Sequence, residues 1–545
     1  MRCYDVLSDT DHIRRWFIIG WFVEPSGKCY WPVSTPVFTL LATYTTGLGN
    51  LSGETVAVSG NRMYVTNSNN NSLDIVDLST ITNPTRITRI DLSPYGASPN
   101  SVAVRDDLVA VAVEANPKTD PGSVVFFNAQ GQYLNRVRVG ALPDMLTFTP
   151  DGQRLLVANE GEPNDDYTID PYGTISIIPV SGNIADLSDA DVISVGFSDF
   201  EVGGARRTQF DTATRIFGPT ANDSDAVQKN LEPEYITVTS DNQFAFVTLQ
   251  ENNAIAKINL QSNTVEWVRS LGLKDHSLPG NGLDASDRDD TINITTWPVF
   301  GMYQPDAIAS YMVNDQLYLV TANEGDARDY TGYSEERRVG ASQYQLDPTI
   351  FPNATALKNN TALGRLTVSA ASGDLDGDGD FDQIHVFGTR SFSIWSSEGQ
   401  LIFDSGDRIE RIVAETYPEF FNSDNNANTR DTRSDNKGPE PEGVAIGFIN
   451  NRPYAFIGLE RQGGVMIFDI SVPTAPTFVQ YINNRNFNQT SVGPDSGPEI
   501  VLFVPANSSP NGLPLLFVAN EVSGTVSIYQ AQLQWRSFLP IVKNE

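Results

Sequence analysis

The chain has 545 residues, with 67 acidic against 36 basic side chains and a formal net charge of −31. That excess repels nucleic acid and anionic membrane surfaces, because binding either means neutralising phosphates with Lys or Arg; it suits cations instead. Two cysteines and three scattered histidines (His12, His276, His385) give the main body no disulfide framework, thiol catalysis, zinc-ligand spacing or Ser-His-Asp context.

In chain order, residues 1–36 form an N-terminal flank holding both cysteines, Cys3 and Cys29. Its run RRWFIIGWFV at 14–23 resembles a short leader, although no clear small-residue cleavage site follows. No segment approaches the ~18 apolar residues needed to span a bilayer. After the flank the composition is even and rich in Gly, Pro, Asn, Asp, Ser and Thr. No linker marks a boundary, so one large repeat architecture fits the length better than a string of modules.

Helical periodicity is scarce. Pairs of apolar, β-branched runs separated by a polar turn recur instead. They begin at Arg62, Leu108, Arg154, Phe244, Leu317, Ile384, Tyr454 and Leu515, giving eight candidate units. Most units open on a short strand led by a Pro-acid or related pair: GETVAV at 53, SPNSVAV at 98, LPDMLTF at 142, EPEYITV at 232, QPDAIAS at 304, EPEGVAI at 440 and GPEIVLF at 497. Most also have a fourth strand, such as RITRIDL at 86–92. Four antiparallel strands repeated around a ring predict an all-β propeller of seven or eight four-stranded blades over 37–530. The unit at Leu317 lacks clear third and fourth strands, so the fifth and sixth units merge in the seven-blade version. The segment VFTLLATYTT at 37–46 has no partner of its own. It is expected to close the ring as the outer strand of the last blade, followed by a tail at 531–545. A stack of separate sandwiches is the competing architecture, but it does not explain a Pro-acid opening in every unit. Polar insertions fall at roughly 200–230, 274–303, 327–362 and 411–438.

In such blades the start of the first strand and the end of the second share one face. The first position holds Glu54, Asp144, Glu234, Asp306, Glu442 and Glu499; the second holds Glu114, Glu160, Glu251, Glu324, Glu460 and Glu521. Asn67 and Arg390 stand in the second position where acids are expected. The strand ends VANEGEPNDDY (157), TANEGDARDY (321) and VANEVSG (518) thus deliver carboxylates to one mouth of the central tunnel. So many converging acids need bound cations, or neutralisation by backbone N–H groups and by Arg328, Arg390, Arg461 and Lys437. The candidate acidic-face site is Glu160, Asp165, Asp166, Glu324, Asp326, Arg328, Asp329, Glu442, Glu460 and Glu521.

The sharpest chemical signal is DLDGDGDFD at 374–382. Alternate acids on a tightly curled loop gather oxygens around one hard cation, as Ca²⁺ requires. The expected ligands are the side chains of Asp374, Asp376, Asp378 and Asp382 and the carbonyl of Asp380. It is not a full EF-hand, since His385 stands at the twelfth position. The loop resembles the calcium loops of integrin-type propeller repeats.

With VANEGEPNDDYTIDPYGTISII, TANEGDARDY, GDLDGDGDFDQIHVFGTRSFSIW and GPEPEGVAIG in hand, the chain resembles the choice-of-anchor I family of secreted bacterial β-propeller proteins over roughly 37–530. The resemblance implies extracellular or cell-surface placement. Some relatives carry names implying alkaline phosphatase or cell-surface glycoprotein. Two functions stay open. One is a non-enzymatic, calcium-stabilised monomer that binds an extracellular ligand or protein on its acid-rich face. The other is a metal-dependent phosphoesterase using Glu160, Asp165, Asp166, Glu324, Asp326, Asp329 and Glu442, with Arg328 on the phosphate. The chain resembles propeller phytases in acidity and architecture, without a residue-by-residue motif match. Quinone- or sugar-dependent redox chemistry lacks any histidine-arginine constellation.

Overall fold

A computed structural model describes residues 35–488 and 493–534, together with the short pairing of Phe22–Val23 with Cys29–Tyr30. Most of the leader-like run at 14–23, and residues 535–545, lie outside the described residues. Seven sheets of four antiparallel strands account for the strand pattern. Numbered in chain order, blades 1 to 7 start on the inner strands Val56–Ser59, Pro99–Arg105, Pro143–Phe148, Pro233–Val238, Ile308–Val313, Pro441–Ile449 and Pro498–Val504.

The count is seven because two sequence units form one blade. Gln316–Asn323 pairs directly with Ser391–Ser396, and the chain between them leaves and returns. His385–Val386, which reads as a blade strand, pairs in parallel with Phe300–Met302 in a small separate sheet. Arg390 therefore marks no strand end of its own blade; it precedes the third strand of blade 5.

Each blade shares an apolar core with the next. Phe246 and Trp267 of blade 4, for example, pack with Leu319 and Trp395 of blade 5. The series returns to its start, since Val56 and Met63 of blade 1 share a core with Leu515 and Phe517 of blade 7. Separate sandwiches would not make such a cyclic series. No hydrogen-bonded sheet closes on itself. Thr35–Thr45 is the outer strand of blade 7, paired with Thr525–Gln534, so the strands of the blades run from 35 to 534. Among the described residues no helix is long and apolar enough to cross a membrane.

The insertions before and within blade 5 build a satellite with a core of its own, including Leu283, Val339, Leu363 and Ile384. Tyr344 stacks on Phe381 there with ring centroids 3.9 Å apart.

The Asn of the repeated Asn-Glu pair is structural. Asn159 Nδ2 donates to Thr174 Oγ1 and Ser176 Oγ, Asn323 to Ser391 and Ser393, and Asn520 to Thr525 and Ser527. Each bond ties the end of a second strand to the start of the third. Asn67 does the same with Ser72 in blade 1. All four are buried, so each cut bond leaves a hydroxyl or amide without water. Asn323→Ala is expected to cost about 1–3 kcal/mol in denaturant unfolding; a change under about 0.5 kcal/mol would mean the clip does not bear on stability.

Candidate functional site

Proline lacks an N–H and is tolerated at the first residue of a strand. Here it opens the inner strands of blades 2, 3, 4, 6 and 7, and a register shift follows at once, between Pro143 and Leu146, Pro233 and Ile236, Pro441 and Val444, and Pro498 and Val501. Such a bulge leaves the extra residue unpaired and re-aims its side chain. The bulge residues include Asp144, Glu234, Glu442 and Glu499. The strand-end acid is then pinned beside it by its own backbone. The N–H groups of Glu114, Glu160, Glu460 and Glu521 donate to the carbonyls of Ser98, Leu142, Glu440 and Gly497, each the residue before the proline. Leu142, Gln304 and Glu440 hold left-handed φ values of 47°, 41° and 54° at this place, where blade 7 uses Gly497. A left-handed non-glycine residue costs of order 1–3 kcal/mol, and such strain clusters at functional sites.

The carboxylates meet around a central channel of about 350 Å³ lined by the inner strands, with Glu54, Asp144, Asp306 and Glu499 along it. Burial first, then neighbouring carboxylates, push the acids up. Glu54 is raised to about 8, despite a hydrogen bond from Ser68, and Asp144 to about 7 beside Glu162 and Glu114. Glu160, Glu234, Asp306, Glu442 and Glu499 are raised well above the usual carboxylate range for the same reasons.

Two groups of three converge. Carboxylate oxygens of Asp144, Glu160 and Glu234 lie within 4.8 Å of one another between blades 3 and 4. None of these three makes an ion pair among the described residues. The second group is Glu324, Glu440 and Glu460, where blades 5 and 6 meet. It is heavily neutralised. Lys437 Nζ reaches Glu324 at 2.6 Å and Glu440 at 3.1 Å; Arg461 Nε reaches Glu460 at 3.0 Å and Glu440 at 3.1 Å; Arg433 also pairs with Glu440. Burial would raise Glu440, but Lys437, Arg433 and Arg461 outweigh it and hold the group down at about 2. Burial and Glu440 still push Glu460 up to about 8. A polar pocket of about 440 Å³ shares Glu324 and Glu460 with this group and is further lined by Glu442, Glu499, Glu521, Asn425, Asn426 and Arg461.

The remaining sequence candidates are placed elsewhere. Asp165, Asp166 and Asp329 are exposed on outer loops and join neither rim group, and Asp326 is half-exposed at 4.0 Å from Lys437. Arg328 cannot serve a phosphate. It is 1% exposed, pairs with Glu232 at 2.9 Å, donates to Asn230 and Phe217 carbonyls, and lies over the Phe217 ring. Arg390 is likewise buried, donating to Glu410 at 2.6 Å and to the carbonyls of Asp284, Ser434 and Asn436. Sequence reasoning missed Glu440, which the GPEPEG motif hides behind Glu442. It also missed Asn425 and Asn426, which carry no motif.

In the 374–382 loop, Gly377 and Gly379 take φ of 80° and 98°, which produces the curl. Asp374, Asp376 and Asp382 bring oxygens within 4.8 Å of one another, a spread that ligands ~2.3–2.6 Å from one Ca²⁺ can have. Asp380 and Asp382 also converge with Asp347, which lies outside the acidic run. Asp378 departs from expectation. Its Oδ1 accepts the Asp380 N–H, and it joins neither group. His385 bonds Ser372 and Gln383 and is buried, with burial lowering it to about 4, so it stays neutral.

Fold and rim together define a seven-bladed β-propeller with an acid-lined mouth. Within that class, the chain belongs to the choice-of-anchor I domain family, whose model matches residues 55–473. It is 31% identical over 194 residues to Gigasin-3a of Magallana gigas, covering 32% of this chain and 67% of that protein. It is 31% identical over 276 residues to the mesenchyme-specific cell surface glycoprotein of Strongylocentrotus purpuratus, covering 45% of this chain but only 35% of the relative. Similar solved structures include hydrazine synthase of Kuenenia stuttgartiensis (TM-score 0.45, 14% identity, 90% of this chain and 98% of that one). Another is the Cps50 (Swd1) β-propeller domain of Myceliophteria thermophila (TM-score 0.43, 9% identity, 92% and 100%). The blade count rests on this chain's own strand pairing.

The raised carboxyls make stability pH-dependent. Glu54, Asp144 and Glu460 bind protons more tightly folded than unfolded, so their contribution is full below the ordinary carboxylate range and is lost as pH rises through about 7–8. Glu440 acts oppositely, but only far below that window. The buried neutral histidines His276 and His385 oppose the trend only below about pH 6.5. In chelator, the melting temperature is therefore expected to rise as pH falls from about 8 to about 6.5; a flat or falling profile would contradict the desolvated rim. Arg328→Met, which strands Glu232 unpaired, is expected to destabilise the fold by about 3–5 kcal/mol in denaturant titration.

Proposed function

We propose that this protein is an extracellular or cell-surface binding propeller that engages a ligand or protein partner through its acid-lined mouth, with Ca²⁺ stiffening the 374–382 loop. Membership of the choice-of-anchor I family and the surface-glycoprotein relative support the location. One observation carries the binding reading over catalysis. Of the seven acids a phosphoesterase would use, each convergent rim group holds only one, Glu160 or Glu324. In the Glu324 group Lys437 pairs with Glu324 and Arg461 with Glu460, and the proposed phosphate ligand Arg328 is buried against Glu232. A catalytic metal centre needs an open coordination position.

The metal-dependent phosphoesterase reading keeps one support, the Asp144–Glu160–Glu234 group, which makes no ion pair among the described residues. Incubating the full chain with p-nitrophenyl phosphate and with phytate, in calcium and in chelator, separates the two. No turnover is expected, with chelator lowering the melting temperature and Asp376→Asn reproducing that loss. Calcium-dependent turnover abolished by Glu160→Gln would overturn the binding reading.

A further inference from the structure

We propose that the pocket between blades 6 and 7 is a second cation site, taking a hard divalent ion of the Ca²⁺ class and distinct from the 374–382 loop. The inference rests on the binding reading above and names what fills part of that mouth. Glu442 and Glu499 come from the bulges opening two adjacent inner strands, and their carboxyl groups contact each other. Glu460 and Glu521 come from the ends of the second strands of the same two blades. Asn425 arrives from the 411–438 insertion and donates to Glu460 Oε1 at 2.7 Å.

Glu442 supplies the independent sign of a ligand. It is 7% exposed and lines the pocket, and apart from the Glu499 carboxyl against it its buried Oε2 has no hydrogen-bond partner among the described residues. A carboxylate oxygen in that state costs about 1–3 kcal/mol or more, and native proteins rarely leave one unpaired unless an ion or water completes it. The basic side chain at the pocket, Arg461, is already engaged by Glu440 and Glu460. Nothing comparable reaches Glu442 or Glu499 among the described residues.

The lining decides the class of cation. Carboxylates and amides make up the wall apart from Arg461 and one apolar residue, Val522. An organic cation with alkyl or aromatic parts would want apolar or aromatic walls. A hard divalent ion wants six to eight oxygens, some of them water, and the pocket's volume of about 440 Å³ accommodates the ion with its hydration. The ion would draw the insertion carrying Asn425 and Asn426 onto blades 6 and 7.

Calorimetric titration of Ca²⁺ into the chelator-treated full chain tests this. The wild type should bind at least one more equivalent than Glu442→Gln/Glu499→Gln, while Asp376→Asn/Asp382→Asn should lose a different class of site. The double rim variant should melt no lower than the wild type in chelator, because it removes mutual repulsion. If it does not fold, Glu521→Gln at the pocket edge should weaken one class about tenfold. Unchanged stoichiometry in the double variant, or unchanged affinity in Glu521→Gln, would overturn the proposal. The two readings fail separately. Unchanged calcium binding without phosphatase turnover removes this site and leaves the binding reading. Turnover with loss of one calcium class does the reverse.

Discussion

Desolvated like charge is the constraint on which the rest of the molecule depends. Two carboxylates held 4.8 Å apart repel by about 3–4 kcal/mol at an effective dielectric constant near 20. Three such pairs in one group would cost about 10 kcal/mol, comparable with the whole stability of a typical domain. In blades 3, 6 and 7 bulges and backbone hydrogen bonds fix the backbone of both partners, which keeps the acids close. The charges must therefore be met by protons, by bound cations or by Lys and Arg. The rim uses different answers in different places. Glu440 is met by Lys437, Arg433 and Arg461, whereas Asp144, Glu160 and Glu234 are met by no ion pair among the described residues.

The insertions answer a related problem. They are tied to the propeller and to one another by ion pairs whose members are largely or wholly buried: Arg328–Glu232 at 2.9 Å, Arg215–Glu335 at 2.6 Å, Arg390–Glu410 at 2.6 Å and Lys274–Asp404 at 2.9 Å. Such pairs add little net stability, because desolvation offsets their attraction, yet losing one partner is expensive. Their effect is to fix one docking geometry for segments that carry little secondary structure. That geometry brings Asp347 from one stretch of the satellite against Asp380 and Asp382 of the glycine-curled loop.

Much of this was legible in the sequence because it depends on local chemistry. Alternating apolar runs, proline at strand starts and an Asn-Glu strand end each act over a few residues, and together they located the inner strands and the rim acids. The blade count was open because the second and third strands of blade 5 are separated by 67 residues, Glu324 to Arg390, and pairing across such a gap leaves no local mark. Arg328 was misjudged for a similar reason. Its loop is acidic and glycine-rich, like a binding loop, but its partners Glu232 and Asn230 lie about a hundred residues away in the chain. Glu440 escaped notice because the residue before a proline reads as a turn. Only the fold shows three cations converging on it.

The uneven distribution of basic residues bears on function more directly than the total charge does. If the rim acids served only to cap neighbouring turns, counter-charges would be needed equally at every blade. They are concentrated instead where the 411–438 insertion, with Arg433 and Lys437 at its end, meets blade 6. The next carboxylates around the rim, Glu442 and Glu499, press on each other, with a buried oxygen that has no other partner among the described residues. A fixed Lys or Arg beside them would make that segment permanently satisfied and insensitive to its surroundings. Leaving it short of positive charge leaves its neutralisation to protons or, on the proposal of a second cation site, to an ion drawn from solution.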